Sequence, residues 1–138
     1  MSGFSTSLAN GIINWVLRGQ AAPVVRNRYF ALFKADPTDA FTAGTEVDAA
    51  WYQRQPAGDF AAPANGVTYN ATRVEFAPVV GAPVDVTHIG IVEGATPSDP
   101  TSTLLFSQPL PEVKRLTVND KYQVDSDATT GDFTLTLV

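Results

Sequence analysis

The residues able to do chemistry here are few. His88 is the only histidine, and there is no cysteine. Nucleophilic catalysis of the Ser-His-Asp kind would have to run through His88, because the nucleophile needs an adjacent base. No G-x-S-x-G elbow presents a serine to it. The histidine lies inside a segment patterned as a strand, where a hydrogen-bonded structural ring is the simpler reading. No catalytic residue is assigned, and the chain is not expected to be an enzyme.

Carboxylates gather in two places. Asp36, Asp39, Glu46 and Asp48 fall in a stretch of loop composition. A hard cation wants six or more oxygens, but the glycine and terminal glutamate of a calcium loop are not at the required spacing. These acids read as turn formers and a solvated face. Asp125, Asp127 and Asp132 surround Ser126, Thr129, Thr130 and Gly131, a composition typical of hairpin loops. A glycosidase pair would need two acids facing one cleft at a set separation, which this spacing does not specify. Gly90 and Gly94 do not make a nucleotide-binding fingerprint. No metal and no cofactor is expected.

Two sets of apolar residues are candidates for binding. Trp51, Tyr52 and Phe60 are a candidate glycan contact, since aromatic faces stack on sugar rings. The alternative is a packing cluster beneath a long loop, the usual fate of large aromatics. Leu8, Ile12, Trp15 and Val16 recur at helical spacing and form a candidate assembly surface. That stripe either packs on its own domain or docks on a partner subunit.

The elements that carry these residues follow from local pattern. Ser5, Thr6 and Ser7 offer N-caps and Gly19 a stop, so a helix is expected from about Ser5 to Arg18. Asn10-Gly11 weakens it by roughly 1 kcal/mol or more, so its apolar stripe must pack on something. Tyr29 to Phe33 is a continuous apolar run, which predicts a strand within Arg28–Lys34 covered on both faces. Asp36-Pro37-Thr38-Asp39 reads as a turn. A short strand is expected over Trp51–Arg54. Further strands are expected over Thr68–Phe76, with Thr72, Val74 and Phe76 on one face, and over Val84–Val92, with Ile89 and Ile91 sharing a face with Asp85 and Thr87. Leu104–Ser107, Val113–Val118, Tyr122–Val124 and the alternating Phe133–Leu137 complete the set.

The expected fold is mainly β: an antiparallel β-sandwich or barrel-like domain with one N-terminal amphipathic α-helix. Residues 1–138 fit a single domain, with the helix in 1–19 and a β domain in 20–138 whose long loop spans about 36–67. A chain of this length buries roughly two-thirds of its unfolded surface, enough for a core without staples. No internal repeat suggests a shaft or solenoid.

Composition narrows the partners. Fourteen acidic residues against nine basic ones leave a net charge of −5. Affinity for nucleic acid comes from many Lys and Arg contacts on phosphate, and here the pairs Arg26/Arg28 and Lys114/Arg115 are isolated. No nucleic-acid partner is expected. No run approaches the ~20 apolar residues of a membrane span, and no secretion signal is evident. The chain is expected to be made and folded in the cytoplasm. Apolar residues make up 44% and charged ones 17%, a balance suited to packing against neighbours.

Several segments, taken in order, resemble small tailed-bacteriophage virion proteins commonly labelled phage tail fibre proteins. They are Leu8-Ala9-Asn10, Ile13-Asn14 and Leu17-Arg18-Gly19, then Tyr29-Phe30-Ala31-Leu32-Phe33 and Ala35-Asp36-Pro37-Thr38-Asp39. Gly44-Thr45-Glu46-Val47 and Tyr52-Gln53-Arg54-Gln55 follow, and later Val86-Thr87-His88-Ile89-Gly90-Ile91 and Leu104-Leu105-Phe106. The likeness spans most of the chain and departs most over Pro109–Asp127. It implies a structural virion component associated with the tail or its fibres, with other phage virion proteins as partners and homo-oligomers such as trimers or hexamers. It transfers no site residues. Two other roles suit the same composition: a capsid decoration protein of the phage head, and a host-surface carbohydrate-binding module.

Overall fold

The computed structural model describes residues 3–25, 27–126 and 132–136. Arg26, Asp127, Thr129, Thr130, Gly131 and Leu137, which entered the expectations above, lie outside the described residues. The fold is mainly β, with antiparallel pairing throughout and one N-terminal helix. In chain order the elements are β1 (Gly3–Phe4), α1 (Thr6–Arg18), β2 (Arg28–Phe33), β3 (Gln55–Pro56), β4 (Val67–Tyr69), β5 (Val74–Glu75), β6 (Val84–Glu93), β7 (Thr103–Leu116), β8 (Gln123–Val124) and β9 (Thr134–Thr136).

A five-stranded sheet in the order β1-β7-β6-β2-β3 is the frame. Two short ladders, β4–β9 and β5–β8, pack over one face of it. The strands do not close into a barrel: β1 and β3 are the edges of the sheet. Phe30 and Leu32 of β2 face the ladders and join Ile89, Ile91, Phe76, Val124 and Phe133 in the main core. Ala31 and Phe33 point the other way, into a second cluster with Val92 and Leu104, partly covered by Phe41. The apolar run of β2 is therefore buried on both faces, as a strand without alternation requires.

Two register shifts change the expected faces. Between Val86 and His88 the pairing of β6 with β7 slips. Val86 thereby joins Ile89 and Ile91 in the core, while Asp85 turns outward to meet Arg115 at 3.2 Å. The expected shared face of Asp85, Thr87, Ile89 and Ile91 is corrected by this bulge, because one extra residue reverses the alternation that follows. A second shift sets Leu105 against no partner, so that it joins the main core while Leu104 enters the other. The two strands expected around Pro111 are one long strand, β7. It pairs on either side of the Leu110–Val113 stretch, where proline offers no ladder donor.

The expected strand Thr68–Phe76 is two strands with different partners. Asn70 divides them. Its fully buried amide accepts from Phe133 N at 2.8 Å and donates to Asp125 O at 3.0 Å, tying the two ladders together. Trp51–Arg54 is not a strand. The edge pairing falls just after it, at Gln55 and Pro56 opposite Phe30 and Tyr29. Gly90 is required where β2, β6 and β7 meet, since a Cβ there would lie 2.8 Å from Phe106 O and 2.9 Å from the Phe33 ring.

Candidate functional site: the open end of the helix and an apolar cleft

Helix α1 starts where Ser5 Oγ accepts from Leu8 N at 3.1 Å, and ends where Gly19 takes a left-handed conformation. Those caps satisfy end groups that a bare helix leaves open. The mid-helix glycine has a packing reason: a Cβ on Gly11 would stand 3.0 Å from Pro23 Cγ, where the following loop crosses the helix.

The structure divides the predicted stripe. Leu8 is buried in the main core and Ile12 packs partly against it. Trp15 and Val16 are exposed by 51% and 61%, and Ile13 and Leu17 beside them by 51% and 78%. The first half of α1 is anchored in cis, and the last two turns present four large apolar side chains to solvent. Ile13 and Leu17 were missing from the stripe read in the sequence. Their signal was there, since Ile13, Val16 and Leu17 are themselves at helical-neighbour spacing. A helix apolar on more than one side needs more than one thing to pack against.

The aromatic candidates do not form one platform. Tyr52 is buried, stacked on Phe76 at 6.0 Å and edge-on to Trp51 at 6.1 Å. Phe60 belongs to a different group, with Phe30 and Phe133 at 6.2 and 6.3 Å. His88 Nδ1 is 2.8 Å from Thr87 Oγ1, and its Nε2 is 3.9 Å from Asp36.

The first acidic cluster disperses. Asp36 accepts from Thr38 N at 2.8 Å, Asp48 pairs with Lys34 at 3.1 Å, and Asp39 gives its carbonyl to Thr6 N. Glu46 does not belong to a solvated face at all. It is buried and accepts two bonds from Arg54, Nη2 to Oε1 at 2.7 Å and Nε to Oε2 at 2.8 Å. Tyr52 Oη donates to Oε2 at 2.8 Å and accepts from Leu32 N at 3.0 Å, and Ser98 N donates to Oε1 at 2.8 Å. Arg54 also donates to Gly94 O at 3.0 Å. Burial and the neighbouring Glu46 carboxylate push the Tyr52 hydroxyl well above the ordinary phenol range. This network fastens the long loop to β2 and to the β6–β7 connection. Its satisfied valences make it a scaffold, not a reactive site.

An apolar cleft of about 440 Å³ opens between the sheet and the β4–β9 ladder. Ile91 and Phe106 come from the sheet, Phe133 and Leu135 from the ladder side, and Phe60 from the loop. Arg28 and Asp59, both exposed, stand at its rim.

A family model, that of the podophage GP4 fiber I protein gp80, matches residues 3–132. This chain belongs to that podophage fibre family. The match runs from β1 through β8, including Pro109–Asp127, where the sequence likeness was weakest. Comparison with curated proteins returns no match. The podophage fibre assignment agrees with the phage tail fibre resemblance of the sequence segments, and two of those segments are now explained. Gly44–Val47 and Tyr52–Gln55 supply Glu46, Tyr52 and Arg54 to the buried network. The matching family is one of structural phage fibre proteins. No helix among the described residues is long and apolar enough to cross a membrane.

Proposed function

We propose that this protein is a structural part of the podophage tail apparatus that works by binding other virion proteins, with the open end of α1 as its docking surface. The observation that carries this reading is the exposure of Ile13, Trp15, Val16 and Leu17 on the last two turns of a helix whose other half is anchored in the core. Contiguous apolar surface of this kind marks interaction sites in soluble proteins. The β domain serves as a rigid mount, and the Glu46–Arg54 network holds its longest loop in place. The surface is built for shape and apolar contact, the usual core of protein interfaces.

The test is a phage carrying a deletion of this gene, imaged by negative stain and assayed for infectivity. Particles with incomplete tails or fibres and reduced infectivity are expected. Unchanged particles with full infectivity would overturn the reading, and one copy for every shell subunit in normal particles would assign the protein to the head instead. A Trp15→Glu, Leu17→Glu variant should fold normally and be lost from particles.

A further inference from the structure

The exposed helix end and the cleft are separate surfaces of one chain, since no residue of α1 lines the cleft. Their properties match. The cleft is walled by rings and aliphatic side chains and is open to solvent, while the last turns of α1 offer an indole and three aliphatic side chains. Its rim carries Asp59, whose carboxylate has no ion-pair or hydrogen-bond partner among the described residues, and Arg28, whose guanidinium likewise has none. Arg18 is the only charged residue of α1 and sits in the last turn, where it donates to Asn14 Oδ1 at 2.9 Å and makes no ion pair among the described residues. The last carbonyls of a helix lack intrahelical donors and give that end a partial negative charge. The helix end thus carries a cation suited to Asp59 beside a negative pole suited to Arg28.

We propose that the last two turns of α1 from one copy seat in the cleft of a second copy, with Trp15 against Phe60, Phe106 and Leu135, and Arg18, three residues on along the same helix face, at Asp59. This inference rests on the assembly reading above and names the occupant. The contact joins two different patches, so successive copies form a ring where the rotation between them closes and an open filament where it does not, unless two copies exchange helices reciprocally.

Sedimentation velocity on the purified full chain across a concentration series tests this. Wild type should associate in a concentration-dependent way. Arg18→Asp and Asp59→Arg, both on exposed residues, should each weaken association by roughly 10-fold or more, since like charges then face each other. The double variant should recover most of that loss, which a general effect on folding would not do. Trp15→Ala should weaken association by roughly 30-fold, the scale of an interfacial tryptophan anchor. A chain that stays monomeric, single charge reversals without effect, or a double variant that does not recover would each overturn the proposal. A monomeric chain still incorporated into particles would sink self-docking alone. Loss of the assembly reading requires normal particles without the protein.

Discussion

Glu46 and Arg54 meet in a two-pronged ion pair, 2.7 and 2.8 Å long, with side chains no more than 3% exposed. Arg54 reaches on to Gly94 and Ser102, and Glu46 to Ser98, so the pair bridges the long loop to the connection between β6 and β7. The fixed fork of a guanidinium matches a carboxylate in this geometry, and an ammonium does not.

Removing one partner should cost far more than removing both. Arg54→Met leaves a buried carboxylate uncompensated, and a loss of about 3–5 kcal/mol is expected. The double variant Glu46→Leu, Arg54→Met should lose markedly less, and Arg54→Lys should fall between wild type and Arg54→Met. Urea unfolding of the four proteins checks the order. A double variant that loses as much as Arg54→Met, or more, would contradict this.

Tyr52→Phe should change the alkaline limb of stability. The hydroxyl is held neutral by burial and by the Glu46 carboxylate, so its folded pKa lies above the unfolded value of 10.0. The stability this contributes is fully present below pH 10 and is lost as pH rises beyond it. Tyr122, pushed up to about 12 mainly by burial, acts the same way. Tyr52→Phe should flatten the fall in stability above pH 10. At neutral pH it should lose about 1–3 kcal/mol, since Leu32 N and Glu46 each lose a partner. Chemical unfolding measured between pH 7 and 11 separates the two effects.

Gly11→Ala should fail to deliver the gain of roughly 1 kcal/mol that alanine gives over glycine in a helix, because the new methyl meets Pro23 at 3.0 Å. Combining it with Pro23→Ala should release the gain. Thermal unfolding of the two single variants and the double variant forms the cycle. A full gain from Gly11→Ala alone would contradict the packing described.

Asp120 accepts from Thr117 N at 2.8 Å and Thr117 Oγ1 at 3.0 Å, and these bonds hold its carboxyl below its usual 3.8. Asp99 is lowered in the same way by Thr101. A depressed carboxylate adds stability that is present above its unfolded pKa and lost as pH falls through the folded one. Asp120→Ala should therefore reduce the loss of stability on acidification below about pH 4. Carboxyl titration by NMR should place the midpoint of Asp120 below the ordinary aspartate range. A midpoint at or above that range would refute it.

Features that depend on neighbours along the chain were legible in the sequence. Ser5 and Gly19 bound the helix because caps act within a few residues. Tyr29–Phe33 is buried on both faces because its apolar run leaves no face for water. The order of short segments pointed to phage tail fibre proteins, where the family match now places the chain. Contacts made across the chain were not legible. Glu46 looks like any loop acid until Arg54, Tyr52 and Ser98 converge on its two oxygens, the last from 52 residues away. The slip at Thr87 arises from pairing with β7 and reverses faces that alternation alone assigned. The stripe Leu8, Ile12, Trp15 and Val16 follows from helical periodicity, but periodicity carries no information on how far the sheet extends beneath it. Only the tertiary structure decided that Leu8 is covered and Trp15 is not, because burial depends on what the rest of the chain places opposite each side chain.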